Sequence, residues 1–406
     1  MTTVAGIEIR QVRPEDEKSL PDFFARAYGT ENVRYRYPDR WRWLCLENPF
    51  IPRQFGLPAW IALCDREIVG YIGAIFVPCQ IAGQKRIVLW AVDLVVSAQF
   101  RGRGIASRLM KVVMDAHEVF LALTMVPESR HLIIKHGGRE GPKAELYFYT
   151  NRVETCKLFA AVRSRLEQRL GESVARLVWR AVAVSGAPWL FAKYCEVRLK
   201  TLQRRKEVPR KSMTANITRV VGRFGREADD LWESSCKRYD LAIVRGRDYL
   251  NWEYIDQPGT HYECFYAYLG AVLSGLVIFR MGISPEPRLG IIADVLWANG
   301  HDALVTDLLQ FALDYLHREN SIGVYCASSV PVVVEALEQL GFLYVSNVAL
   351  CTYSQAGVTN RLRENWEALL SKSDHDWDQY PSARHLSISE IRRILRSEKD
   401  RLPPCE

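Results

Sequence analysis

A chain of 406 residues is too long for one compact core of ordinary size and predicts two domains. Apolar residues at 48% and charged residues at 25% exclude a disordered or fibrous chain, and a net charge of +7 admits a phosphorylated ligand or a membrane surface but gives nucleic acid little support. Ten cysteines scattered from Cys45 to Cys405, with no CxxC pair, argue against a zinc site or disulfide framework and for a reducing, cytoplasmic setting, so no metal is expected.

The N-terminus, MTTVAGIEIRQVRPEDE, lacks a basic-then-apolar signal pattern, and the chain has no uncharged apolar run long enough to predict a spanning helix. Residues 59–97 read as a meander: AWIALC, a turn at Asp65-Arg66-Glu67, IVGYIGAIFV, a turn around Gly83-Gln84-Lys85, and RIVLWAVDLVV. A helix follows with Ile105, Leu109, Val112, Val113 and Ala116 on one face. Next come a strand at FLALTMV (Phe120–Val126), a short helix before Gly137-Gly138, and the strand ELYFYT. Residues 157–200 read as amphipathic helix broken at Gly186-Ala187-Pro188, leading into the basic stretch LKTLQRRKEVPRKS. A second set of strands and helices runs from Ile217 to Tyr353, and the polar tail carries a basic helix near Ser387–Lys399. The expected divisions are a domain at 1–155, a helical segment with basic linker at 156–212, a domain at 213–355, and a tail at 356–406.

The two halves repeat. RWRWLCLENP (Arg40–Pro49) aligns with YLNWEYIDQP (Tyr249–Pro258), setting Trp43 on Trp252 and Pro49 on Pro258. Asp93-Leu-Val-Val matches Asp294-Val-Leu-Trp, each closing an apolar run, and Gly137-Gly138 matches Gly341-Phe342. Three matches in one order predict a duplicated domain. Trp43 and Trp252, each shortly before a proline, read as core anchors.

Between the strand RIVLWAVDLVV and the next helix lies Gln99-Phe100-Arg101-Gly102-Arg103-Gly104. Its glycines allow a tight turn, and the first amides of the helix stay unpaired at the positive end of the dipole. With Arg101 and Arg103 adding charge, the loop suits a phosphate, above all a diphosphate. A dinucleotide fingerprint needs a third glycine where Ser107 stands, and the Gly-Lys-Ser/Thr ending of a Walker loop is missing.

These residues resemble the Q/R-x-x-G-x-G/A signature of the GNAT superfamily of N-acetyltransferases, with Ile105 and Ala106 continuing it and Leu94-Val95-Val96 as the strand before it. The resemblance implies a mixed α/β (α+β) fold: two GNAT-like domains, each a largely antiparallel central sheet flanked by helices, joined by a helical basic linker. It also implies acetyl-CoA or another acyl-CoA as co-substrate. Leu94, Val95 and Val96 would pair with the pantetheine arm, while Gln99, Arg101, Gly102, Arg103, Gly104, Ile105 and Ala106 would form the diphosphate loop. The second copy reads Ala298-Asn299-Gly300-His301-Asp302-Ala303, lacking the second glycine and the arginines. Its Asp302 sets a carboxylate where a diphosphate would sit, so that domain is expected to be degenerate.

Acyl transfer to an amine requires alignment, loss of a proton from the ammonium, polarisation of the carbonyl and a proton for the leaving thiolate. The resemblance implies a tyrosine acid four residues before the closing glycine pair. Counting back from Gly137 gives Ile133, so that acid is missing. Asp93, a carboxylate interrupting an apolar strand, is a candidate base or else a paired ion. Glu128 and His131 can reach the same cleft or mark a solvated helix start, and Tyr147 and Tyr149 are candidate acids or strand packing. Asp374, Asp376 and Asp378 of SDHDWDQY form a solvated acidic turn or a cation or amine site.

The apolar stretch Ala175–Val197 is either a hairpin packed between the domains or a segment lying on a membrane surface, with peripheral contact through residues 175–212. The expected partner is a small-molecule amine acceptor and not nucleic acid. The tryptophan–proline units and acidic tail also resemble GNAT-type proteins of polysaccharide assembly, which implies an amino sugar or cell-envelope precursor. Remaining alternatives are a carrier-protein or aminoacyl donor, and a non-catalytic CoA-binding module.

Overall fold

Short polar turns between apolar runs build the first four strands. β1 (Ile7–Gln11), β2 (Ala59–Cys64), β3 (Glu67–Ile81) and β4 (Gln84–Val96) lie side by side and antiparallel, the last three being the expected meander. Their connections at Asp65-Arg66 and Ala82-Gly83 take the left-handed backbone of tight hairpin turns. The computed structural model describes residues 6–123, 126–154, 158–208, 215–282, 288–355, 357, 359, 367–371 and 386–400.

Helices α1 (Leu20–Tyr28) and α2 (Asp39–Cys45) link β1 to β2. After β4 come α3 (Ile105–Met114), β5 (Val119–Ala122), α4 (Pro127–Lys135) and β6 (Arg139–Thr150). Three linker helices follow: α5 (Ala160–Leu170), α6 (Glu172–Val184) and α7 (Ala187–Lys206). The second half begins with β7 (Asn216–Arg219), α8 (Arg226–Ser235), β8 (Leu241–Ile243), α9 (Arg247–Leu250) and a π-helical turn at Asn251–Ile255. It then repeats the first in order: β9 (Glu263–Leu269), β10 (Val272–Met281), β11 (Leu289–Trp297), α10 (Ala303–Arg318), β12 (Gly323–Ser328), α11 (Pro331–Gln339) and β13 (Leu343–Ser354). Short β14 (Ala368–Leu369) and α12 (Ile388–Asp400) complete the described chain.

All of these strands join one fourteen-stranded sheet, whose main path runs β1-β2-β3-β4-β5-β13-β6-β12-β11-β10-β9-β7. That order reveals an exchange. Strands β6 and β13 cross over between the halves, β13 lying against β5 and β6 against β12, and the two exchanged strands pair antiparallel at the centre. Registers agree: Val119 opposes Ser354 in one half and Gly323 opposes Thr150 in the other. At this junction packing is so close that a Cβ on Gly323 would lie 2.3 Å from Phe148 Cζ and 2.9 Å from the Tyr149 carbonyl oxygen. The division expected at residue 155 therefore separates the sequence but not the sheet.

Trp43 and Trp252 do more than anchor their own halves. Their rings stack on each other at 4.6 Å and 19°, and Trp43 Nε1 donates to the Trp252 carbonyl at 3.0 Å. Helix α7 covers the sheet junction, burying Ala192, Cys195 and Leu199 against Phe148, Leu289 and Leu343. That half of the hairpin is packed across the two domains, as one reading of the sequence has it. Helix α6 is not: Ala175 is its one buried residue.

Trp43→Ala is expected to cost about 3–5 kcal/mol, read as a fall in the urea midpoint. Wild-type unfolding should be a single transition by fluorescence and by circular dichroism. Two separated transitions would mean that the halves fold independently despite the exchanged strands.

Candidate active site at the cleft between β4 and β5

Strands β4 and β5 run parallel and pair only at Leu89–Phe120 and Trp90–Leu121. Beyond that point β4 continues to Val96 while β5 stops at Ala122, so the strands part and a cleft opens between them. Residues Ala91 to Leu94 of β4 are consequently only half-buried, whereas Val95 and Val96 are buried. On its other edge β4 pairs with β3, and its register slips at Asp93, whose φ of +57° marks a bulge.

The loop at the cleft's end has the geometry its composition suggests. Gly102 and Gly104 have φ of +78° and +77°, and a Cβ added at either would meet nothing within 4 Å. Gly104 is the N-cap of α3 and provides no side-chain cap, so no cap side chain covers the first-turn amides, an arrangement that suits an anion. The Arg101 Nε donates to the Val96 carbonyl at 3.1 Å, and the Arg103 guanidinium stands 5.0 Å from the Phe100 ring centre. Gln99 is exposed, Ala106 half-buried, and Ile105 buried, fixing α3 to the sheet beside Gly70. Ser107 Oγ and His136 Nε2, 2.9 Å apart, tie the start of α3 to the end of α4.

The four catalytic candidates do not converge. Asp93 accepts from Arg40 NH1 at 2.5 Å, with Arg40 almost fully buried. Burial pushes the Asp93 carboxyl up, but Arg40 and Arg36 outweigh it and hold the group below its ordinary value. Such a carboxylate stays ionised and is a weak proton acceptor. Glu128 and His131 lie exposed on α4, the helix that follows the open cleft. Tyr147 donates to Glu145 at 3.0 Å and Glu338 at 3.2 Å; burial first, then these two carboxylates, raise its hydroxyl well above the ordinary tyrosine value. Strand exchange carries Tyr147 beneath α11 of the second half, while Cys351 of β13 packs in the core under α3 and α4. Tyr149 donates to Glu207 at 3.1 Å, again outside the cleft. Asp374, Asp376 and Asp378 lie outside the described residues, and no group of metal-ligating side chains occurs among the described ones.

The equivalent cleft of the second half is filled. β11 and β12 pair from Leu289–Gly323 to Ile292–Cys326 and then part, with a bulge next to Asp294. Segment Glu367–Ser371 enters this gap. Ser371 bridges to Ser328, Ser329 Oγ donates to the Ala368 carbonyl at 2.6 Å, and Leu369 and Ser371 line a remaining cavity of only about 10 Å³. Arg245, wholly buried, donates to Asp294 at 3.0 Å and to Ser371 Oγ at 3.0 Å, and Tyr254 donates to Asp294 at 3.0 Å. Every residue of β11 is buried, in contrast to β4. The loop before α10 is occupied as well: Asp302 accepts from Trp297 Nε1 at 2.7 Å and from Arg238 at 3.1 Å.

Sequence reasoning missed Arg40, His136 and the segment Glu367–Ser371. Arg40 had a signal, since it opens the repeated tryptophan unit, and Ala368-Leu369-Leu370 is a short apolar run inside a polar tail.

Residues 18–125 match the acetyltransferase (GNAT) family. No curated protein matches the chain by sequence. Among solved structures, a GCN5-related N-acetyltransferase from Anabaena variabilis is similar with a TM-score of 0.53 at 11% identity, over 85% of this chain and 72% of that one. A tandem GNAT protein from the clavulanic acid biosynthesis pathway gives 0.50 at 13%, over 86% and 98%. The chain has a tandem GNAT-like fold. N-myristoyltransferase of Saccharomyces cerevisiae with bound myristoyl-CoA shares the architecture at a TM-score of 0.50 and 11% identity, over 87% of this chain and 80% of that one. At such identities the likeness is one of fold. In this tandem GNAT-like chain the open cleft lies in the half that carries the family match.

Asp93→Asn keeps a residue that tolerates a positive φ while leaving Arg40 buried without its counter-charge. A loss of about 3–5 kcal/mol in urea unfolding at neutral pH is expected. Because the folded carboxyl titrates below its unfolded value of about 4, its contribution is present above that pH and fades as pH falls through the lower folded value. The wild type should therefore lose its advantage over Asp93→Asn on acidification. An advantage unchanged by acidification would remove the ion pair from the account.

Proposed function

We propose that the first half is an acyl-CoA-dependent N-acyltransferase that transfers an acyl group to a primary amine, and that the chain binds one acyl-CoA. The observation that carries this reading is the contrast between two equivalent clefts. One is open, edged by half-buried β4 and ending on a glycine loop with uncapped amides; the other is filled by the chain's own segment.

The residues present fit acyl-CoA. The free edge of β4 at Leu94–Val96 offers backbone groups to the amides of a pantetheine arm, in the manner of an added strand. Amides from Arg101 to Ala106 and the charges of Arg101 and Arg103 offer a diphosphate site. Bound there, the thioester supplies an activated carbonyl to an incoming amine. Asp93, tied to Arg40, holds the bulge that shapes the cleft floor. Glu128 and His131 are then the groups left on the cleft side to accept the ammonium proton, directly or through water. The acceptor is a small-molecule amine; an amino sugar or cell-envelope precursor is the class named by the tryptophan–proline units. Such an enzyme works in the cytosol, at the inner face of the membrane where a basic hairpin can meet it.

A second reading, a non-catalytic CoA-binding module, is favoured by one observation. Ile133, fully buried, stands where the tyrosine acid is expected, and Tyr147 is committed to two carboxylates.

Calorimetric titration with acetyl-CoA should give one site per chain. Gly104→Glu, which places charge in the loop, should weaken binding at least about 100-fold, whereas Gly104→Ala, equally strained but uncharged, should retain most of it. Loss in both variants, or two sites in the wild type, would overturn the assignment. Thiol release with amino sugars, polyamines and peptides as acceptors separates the enzyme from the binding module, and His131→Ala should lower kcat more than it raises KM.

A further inference from the structure

Helices α5 to α7 carry a surface that the enzymatic reading does not use. Between residues 160 and 206 the sequence has eleven basic and three acidic residues, a surplus of eight against a net charge of +7 for the whole chain. The three helices together thus hold all of the protein's excess positive charge, and the rest is close to neutral. Its three carboxylates are already neutralised: Glu167 by Arg163, Glu172 by Arg176, and Glu196 by Lys193 and Lys200.

The same helices expose apolar side chains that a soluble surface would ordinarily cover. Leu177 is 69% exposed and Val184 88% on α6, and Trp189 and Leu190 are each 61% exposed at the start of α7. Leu177 and Val184 are seven positions apart and share one stripe of α6, while Leu190 and Tyr194 share one stripe of α7. Phe159 holds the hairpin together, its ring 5.9 Å from Trp179 on α6 and 5.8 Å from Phe191 on α7. The exposed stripes are therefore presented by a built element. No helix among the described residues is long and apolar enough to cross a membrane.

We propose that the α6–α7 hairpin docks on an anionic lipid bilayer, with Leu177, Val184, Trp189 and Leu190 entering the interface and the surrounding arginines and lysines meeting lipid phosphates. A basic amphipathic surface with an exposed tryptophan fits a negatively charged interface through both terms, apolar area and charge. A second copy of the chain is the poorer occupant, because two hairpins, each with eight basic and two acidic residues between 172 and 206, repel.

The test is co-sedimentation of the full chain with large unilamellar vesicles of phosphatidylcholine, alone or with about a third phosphatidylglycerol. Binding should rise at least about ten-fold with the anionic lipid. It should fall by a similar factor in Trp189→Glu/Leu190→Glu, both exposed positions, with thermal unfolding of the variant unchanged. Trp189→Phe should retain binding. Failure of the wild type to sediment, equal binding to neutral vesicles, or undiminished binding by the double variant would overturn the proposal. So would a wild-type dimer in sedimentation equilibrium that the double variant abolishes, which would assign the face to self-association. Vesicle binding requires no acyl-CoA, so its outcome is independent of the enzymatic reading.

Discussion

The antiparallel pairing of β6 with β13 is the constraint on which the molecule depends. Each half hands one of these strands to the other, so neither half has a complete sheet alone. β5 would present an unpaired edge without β13, as would β12 without β6. The exchange also redistributes side chains. Tyr147, encoded in the first half, reaches Glu338 in the second, while Cys351, encoded in the second, lies in the core under α3 and α4. Each exchanged strand thus carries its side chains into the packing of the other half.

A second constraint is the buried carboxylate at each bulge. Burying a charge is tolerable only with a partner of good geometry, and the halves meet the requirement differently. Asp93 takes Arg40 from α2, and the cleft beyond it stays open. Asp294 takes Arg245, which is itself buried and needs further acceptors; Ile243 O at 2.9 Å and Ser371 Oγ at 3.0 Å supply them. Closure of the second cleft is therefore part of the hydrogen-bond satisfaction of its own core. The segment at Glu367–Ser371 is a structural member of that half.

Several features were legible from residues alone. The meander, the loop glycines and the repeat each follow from local chemistry: turn residues between apolar runs, positive φ at Gly102 and Gly104, and paired tryptophans at matching positions. The strand exchange was not legible, because ELYFYT and LYVSNVALCTYS carry equal capacity to pair with either neighbour. Only closure of the whole sheet decides between them. Asp93 could be seen as either a base or a paired ion, and the decision rested on Arg40, which lies 53 positions away; the repeat marks its position but not its partner. The filled second cleft depends on a five-residue contact made by a polar tail, a signal too short for periodicity to register.

These constraints give the second half a physical role without a ligand. β13 must be held at the right height to cover β5, and β13 is reached through β12 and α11. Segment Glu367–Ser371 fastens β12 by bridging Ser328 and bonding Ser329, and joins β8, which in turn extends the end of β3 in the first half. Filling the second cleft thereby ties together the two ends of the path that frames the first. A duplicated domain that kept both clefts open would leave β12 unbraced on that side, with Arg245 short of an acceptor in its core. Filling the second cleft and bracing β12 are then one structural feature, and the sheet that frames the open cleft between β4 and β5 is built on it.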